Sequence, residues 1–192
     1  MQAIVQDRYG SPAVLQARDI DKPEVGAMDV LVRVHAASVH VGDWILMGGS
    51  PFVMRLATGL RKPRNPVPGT DIAGVVEAVG AGVQGLQPGD EVFGWCAGAF
   101  AEYAATGADQ LVRKPAGLTF EQAAAMGVSA STALQLLRDD GKVKAGQKVL
   151  INGASGGVGT FAVQIAKALG AEVTAVCSAA NAELVRSLGE ST

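Results

Sequence analysis

Cysteine, positive charge and long apolar runs are all scarce in this chain, and each shortage narrows what it can be. Only Cys96 and Cys177 occur among 192 residues, far apart and each set among small apolar neighbours. That count excludes a disulfide framework and leaves one bridge as the alternative to two free thiols. The start, Met1-Gln2-Ala3-Ile4-Val5-Gln6-Asp7, has no basic n-region and no long apolar h-region, so it does not read as a signal peptide. Both thiols are therefore expected to be reduced and buried, in a cytoplasmic protein. With 16 Lys+Arg against 18 Asp+Glu, the formal charge of −2 offers no cationic excess to a nucleic acid or a membrane, and neither partner is expected. Arg61-Lys62-Pro63-Arg64 is short and broken by proline, and reads as a solvated loop. No apolar run approaches the ~18 residues that span a bilayer.

What the chain does have is 48% hydrophobic residues, 25 glycines and 8 prolines. Gly/Pro turns divide the first hundred-odd residues into short strands at about 3–5, 14–20, 30–38, 72–79, 91–94, 100–105 and 110–113. In the third of these, Val30, Val32, Val34 and Ala36 alternate with Leu31, Arg33 and His35, the period of a half-buried strand. Many short strands with such punctuation predict a closed or partly closed β-barrel. His35 reads as ordinary sheet and Trp44 as packing.

The pattern changes near Pro115-Ala116-Gly117. Thr119-Phe120-Glu121-Gln122 matches a capping box. The Ala-rich helical stretch behind it runs to about Asp140, with a break near Gly127 and Gly141 as its left-handed terminator. A strand at Lys148–Asn152, a helix from Gly157 to Leu169, a strand at 172–177 and a helix at about 181–188 follow, with Gly170 and Gly189 as further terminators. This β-α-β-α run predicts a second, α/β domain, giving divisions of about 1–117 and 118–192.

The chemistry sits in Val149-Leu150-Ile151-Asn152-Gly153-Ala154-Ser155-Gly156-Gly157-Val158-Gly159. An apolar strand runs into a glycine-rich turn that opens an amphipathic helix, as a dinucleotide fingerprint requires. Glycines let the backbone approach a pyrophosphate, and the free N–H groups and dipole of the helix start favour its charge. In register with G-x-G-x-x-G, the second and third glycines are Gly156 and Gly159, with Ala154 at the first position. A structural turn that binds nothing is the alternative. NAD-preferring sites carry Asp or Glu about 20 residues further on. Here Ser178-Ala179-Ala180-Asn181 occupies that place. Ser178 and Asn181 can donate to a 2′-phosphate and Arg186 can add charge, so the expected cofactor is NADP(H), held by Ala154, Ser155, Gly156, Gly157, Val158, Gly159, Ser178, Asn181 and Arg186.

Several spaced motifs together resemble the medium-chain dehydrogenase/reductase superfamily. They are Gly69-Thr70-Asp71-Ile72-Ala73-Gly74-Val75-Val76 with Val79-Gly80, Pro88-Gly89-Asp90-Glu91-Val92-Phe93-Gly94, Gly98-Ala99-Phe100-Ala101-Glu102-Tyr103, and the turn just described. The resemblance spans the chain and implies a GroES-like β-barrel catalytic domain followed by a Rossmann cofactor domain. Zinc-dependent members carry a ligand Cys after the strand at 30–38 and a Gly-His-Glu segment. Here those places read Ser38-Val39-His40-Val41-Gly42-Asp43 and Gly69-Thr70-Asp71, and the structural cysteine loop is missing. Zinc needs three or four convergent ligands, so no metal is expected. His40 with Asp43 is a pair too small to hold one.

The chain is thus similar to the zinc-independent quinone oxidoreductase branch, where the cofactor supplies the hydride and the protein supplies orientation and electrostatics. The resemblance places Ser38 to Asp43 at the substrate cleft, with His40 where the family has Asn and Val41-Gly42 in place of Pro-x. His40 either donates a hydrogen bond to a carbonyl or quinone oxygen or is a satisfied structural histidine. Thr132 matches a family threonine near the nicotinamide, or is a helix hydroxyl bonded to its own backbone. His40, Asp43 and Thr132 are the catalytic candidates. Two of the six strands of the dinucleotide fold are visible, so the Rossmann domain reads as incomplete and one edge of Lys148–Asn152 as unpaired. The expectation is the N-terminal part of an NADPH-dependent oxidoreductase acting on a small-molecule quinone, enone or other carbonyl, its parent a homodimer. An inert truncated fragment is the alternative.

Overall fold

The computed structural model describes residues 1–189. The chain divides into two compact units, Met1–Gly127 and Val128–Thr192. The first is built on a five-stranded antiparallel sheet in the order β6-β3-β4-β5-β7: β3 (Asp29–Ser38), β4 (Asp71–Val79), β5 (Glu91–Trp95), β6 (Tyr103–Gly107) and β7 (Leu111–Arg113). A two-stranded sheet pairs β1 (Gln2–Val5) with β2 (Gln16–Asp19). Val30, Val32, Ile72, Val76, Val92, Cys96, Ala104 and Leu111 are buried together as the core of this unit, so the alternation read in β3 is the one that fills it.

The ladders do not close into a barrel. The small sheet joins the large one through a single bridge, Ala3 with Ala101. Isolated backbone bonds supplement it: Ile4 N–H to Phe100 O at 2.8 Å and Glu102 N–H to Gln2 O at 3.0 Å. The reason is local. Pro66 and Pro68 lack a backbone donor, and the acceptors that meet β1 and its neighbours, Pro66 O and Pro68 O, lie in loop rather than strand.

Two short helices interrupt the strands where none was expected: α1 (Val41–Gly48) and α2 (Arg55–Thr58). α1 starts at a capping box, with His40 as N-cap and Asp43 answering three residues on, and ends at Gly49 in the left-handed region. Trp44 on α1 is 59% exposed and does not pack as expected. α3 (Phe120–Ala124) is capped by Thr119 and Gln122 as the sequence predicts, at 3.2 and 3.0 Å. Its Ala123 and Ala124 are buried against Ala73 of β4. This packing is why the first unit extends past the strands to Gly127.

In the second unit α4 (Gly127–Leu134) passes into a π-helical turn, Gln135–Asp140. Gly141 is not the left-handed terminator expected, with φ −76°; that conformation falls on the next residue, Lys142, at φ 47°. The π-turn accounts for the slip, since its wider loops displace the stop by a residue. Gly170 and Gly189 terminate as predicted, at φ 80° and 109°. β8 (Lys148–Asn152) and β9 (Glu172–Val176) pair in parallel, joined by α5 (Gly157–Ala168), and α6 (Ala182–Ser187) follows. Val163, Ala166, Val173 and Val185 form the buried centre. The sheet has only these two strands among the described residues, and Leu150 is 68% exposed, in keeping with the unpaired edge expected. Cys96 is buried, but Cys177 is half-buried rather than enclosed.

Candidate functional site

The first unit holds a cavity of about 240 Å³ whose walls include Gln6, Tyr9, Asp43, Met47, Thr58 and Thr70. One side is set by the start of α1. His40 Nδ1 accepts the Gly42 N–H at 2.9 Å, which places the ring proton on Nε2. Nε2 lies 2.6 Å from Thr70 Oγ1, so the imidazole donates and the hydroxyl accepts. Thr70 then directs its own proton to Asp43 Oδ1 at 3.4 Å, while Asp43 Oδ2 takes the His40 backbone N–H at 2.9 Å. The 3.7 Å gap between His40 Nε2 and Asp43 Oδ2 is therefore spanned by Thr70 rather than by a direct bond. Both ring nitrogens of His40 are thus engaged by the protein. The 3.4 Å bond to Asp43 is the loosest contact of the network.

Across the cavity wall, the Gln6 amide directs Nε2 toward Met47 O and Arg8 O at 3.4 and 3.5 Å. Two carbonyls leave no choice of orientation. Its buried Oε1 has no hydrogen-bond partner. Tyr9 Oη donates to Gly59 O at 2.7 Å and meets Thr58 Oγ1 at 2.8 Å, pinning the loop that forms the far wall. Cys96 is no nucleophile: burial, and secondarily the Asp71 carboxylate, push its thiol up to about 12.

A different construction appears at residues 153–159 in the second unit. Gly153 and Ala154 N–H both bond Val176 O, at 2.9 and 3.0 Å, tying the turn to the end of β9. Gly153 has φ 74°, which a side chain would strain. Gly156 caps α5 with no side chain of its own. A Cβ on Gly159 would lie 2.2 Å from Gly153 O, so only glycine lets the first turn of α5 sit this close to the strand end. The N–H groups of Ser155, Gly157, Val158 and Gly159 have no partner among the described residues. They face the start of a 12-residue helix with its positive dipole end. Unspent donors at such a point fit a diphosphate.

Three predicted cofactor residues meet beside it. Asn181 Nδ2 is 3.2 Å from both Ser155 Oγ and Ser178 Oγ, and no acidic residue occurs from Gly153 to Ala182 except Glu172 at the opposite end of β9. Arg186 lies exposed on α6, its side chain in no hydrogen bond or ion pair among the described residues. Thr132, on α4, makes no side-chain hydrogen bond among the described residues, so the self-bonded alternative is not what this helix shows. Ser129 on α4 packs at the turn, its Oγ 3.1 Å from where a Gly157 Cβ would stand. Sequence reasoning missed Thr70, Gln6 and Tyr9. Thr70 stands within the Gly69-Thr70-Asp71 motif, which the sequence marks for family resemblance and for the lack of a zinc ligand but not for a hydroxyl in the cavity.

A sheet unit followed by a βαβ unit with a glycine-rich turn is the arrangement on which comparison with known proteins bears. Residues 26–116 match the alcohol dehydrogenase GroES-like domain family. The chain is 38% identical over 211 residues to the mitochondrial NAD(P)H oxidoreductase RTN4IP1 of Mus musculus, covering 98% of this chain and 52% of that one. It is 40% identical over 177 residues to the quinone oxidoreductase of Homo sapiens, covering 90% and 51%. It superposes on the crystal structure of Escherichia coli quinone oxidoreductase complexed with NADPH with a TM-score of 0.86 and 31% identity, covering 99% and 57%. These similarities lie with the quinone oxidoreductase-like members of the medium-chain dehydrogenase/reductase superfamily. It spans about half the length of the curated relatives it matches. No helix among the described residues is long and apolar enough to cross a membrane.

Proposed function

We propose that the chain is the N-terminal part of a metal-independent, NADPH-dependent oxidoreductase that passes hydride to a quinone, an enone or another small carbonyl acceptor. The observation that carries this reading is the group of unengaged N–H donors opening α5 beside Ser155, Ser178 and Asn181. Those N–H groups hold the diphosphate, and Ser178 and Asn181 donate to the 2′-phosphate, with Arg186 adding charge from α6. The unpartnered Thr132 hydroxyl is available to the nicotinamide end. The bound cofactor supplies the hydride; the chain supplies binding and a hydrogen-bond donor to the acceptor oxygen. An acceptor oxygen in the cavity takes the hydrogen bond of the Thr70 hydroxyl in place of Asp43 Oδ1, and the His40 Nε2–H, which donates to Thr70 Oγ1, polarises that hydroxyl without giving up its proton; the proton that completes the reduction comes from solvent. His40 and Asp43 thus act through Thr70.

The test is loss of NADPH absorbance with a water-soluble benzoquinone as acceptor, in a preparation stripped with a chelator. Turnover that survives chelation supports the reading, and turnover restored only by zinc contradicts it. Thr70→Val should lower kcat with little change in KM, because the hydroxyl matters most as charge develops on the oxygen. A second reading, nucleotide binding without turnover, is favoured by the two-stranded β8–β9 sheet with its exposed Leu150. NADPH binding with no oxidation would select it.

A further inference from the structure

The net charge of −2 conceals an asymmetry. Between Asp43 and Asp71 the chain carries Arg55, Arg61, Lys62 and Arg64 and no acidic residue. The same stretch exposes Phe52, Val53, Leu56 and Leu60 at 64, 64, 66 and 54%. Residues 51–64 form one tethered lobe. Tyr9 Oη anchors Thr58 and Gly59, Arg64 N–H bonds Thr58 O at 2.8 Å, and Arg55 donates to Gly49 O at 2.9 Å. Arg55 also lies 5.3 Å from the Phe52 ring centre, which holds the ring without burying it. Arg61, Lys62 and Arg64 are exposed and form no ion pair among the described residues. Large apolar side chains held outward beside unpaired cations are the composition of an interfacial segment, one that buries its apolar groups at the headgroup boundary while its cations meet anionic lipid.

We propose that this lobe docks the protein on an anionic lipid surface, from which a lipid-borne quinone enters the cavity. The cavity is continuous with the lobe, since Thr58, Pro63 and Arg64 belong to its wall. A molecule arriving at the lobe therefore needs to pass only its inner side. The entry half of this proposal rests on the quinone reading above; the docking half stands on the lobe alone. Charge complementarity selects lipid over a second copy of the chain, because two cationic lobes facing each other would repel.

The test is co-sedimentation of the chain with vesicles of phosphatidylcholine alone and of phosphatidylcholine with phosphatidylserine. The expected result is binding to the anionic vesicles only, weakened as salt rises. Arg61→Gln with Lys62→Gln should cost about fivefold per charge removed, and Phe52→Ser with Leu56→Ser should abolish binding. These residues lie outside the cavity wall, so reduction of a water-soluble quinone should be unchanged in all of these variants. Absence of vesicle binding, or binding indifferent to the substitutions, overturns docking. So does sedimentation showing that Phe52→Ser with Leu56→Ser turns a dimer into a monomer. Docking without reduction of any quinone contradicts the functional reading while leaving docking intact; reduction without docking does the reverse.

Discussion

The two units build their sites from opposite materials. In the first, side chains distant in sequence close on one another: His40, Thr70 and Asp43 spend most of their hydrogen-bonding capacity among themselves, and only Gln6 Oε1 is left over. In the second, the backbone does the work, and the N–H groups of Ser155, Gly157, Val158 and Gly159 have no partner among the described residues. A site made of side chains can be retuned by substitution without disturbing the chain. A site made of backbone fails as soon as the chain cannot come close enough, which is why glycine is indispensable there.

Substitutions on each side should show that difference, the largest effect first. Gly159→Val places a Cβ against Gly153 O and should raise the Kd for NADPH at least about a hundredfold in a calorimetric titration, roughly 3 kcal/mol. Ser178→Asp puts a carboxylate where the 2′-phosphate is expected. NADPH affinity should fall about tenfold while NADH affinity changes little. His40→Ala removes the cap of α1 and should cost about 1 kcal/mol in urea unfolding, whereas His40→Asn, an equally good cap, should restore most of it.

The smallest effect is a contrast between the two cysteines, one in each unit. Half-buried Cys177 should react with iodoacetamide in the folded protein and buried Cys96 should not, read by mass spectrometry. Because the Cys96 thiol is pushed up to about 12 from 9.0, it is protonated below pH 9 in the folded and the unfolded chain alike. Above pH 9 only the unfolded chain releases the proton. The stability this thiol contributes is full below pH 9 and declines as the pH rises toward 12, and Cys96→Ala should remove that part of the alkaline decline.

Legibility in the sequence follows the same division. The glycine-rich turn, the Thr119 cap and the α5 face were readable because each depends on residues within a few positions of one another. The His40–Thr70 contact joins residues 30 positions apart, and no local pattern announces it. α1 was hidden for a different reason. Val39, Val41, Gly42, Gly48 and Gly49 are poor helix formers, and the helix stands on its capping box and on buried Met47. Of the closed or partly closed barrel expected, the strands were readable but the degree of closure was not, because strand count does not reveal that Pro66 and Pro68 meet β1 and its neighbours from loop rather than strand. The cations of Arg61-Lys62-Pro63-Arg64 were visible and read as a solvated loop, but no local pattern shows that Phe52, Val53, Leu56 and Leu60 stand exposed in the same stretch.

The most direct measurement is the ratio of Kd values for NADPH and NADH, titrated calorimetrically into the 192-residue chain. A backbone cradle flanked by Ser178 and Asn181, without a carboxylate, predicts NADPH binding at least about tenfold tighter. Equal affinities, tighter NADH, or no binding of either nucleotide would contradict it.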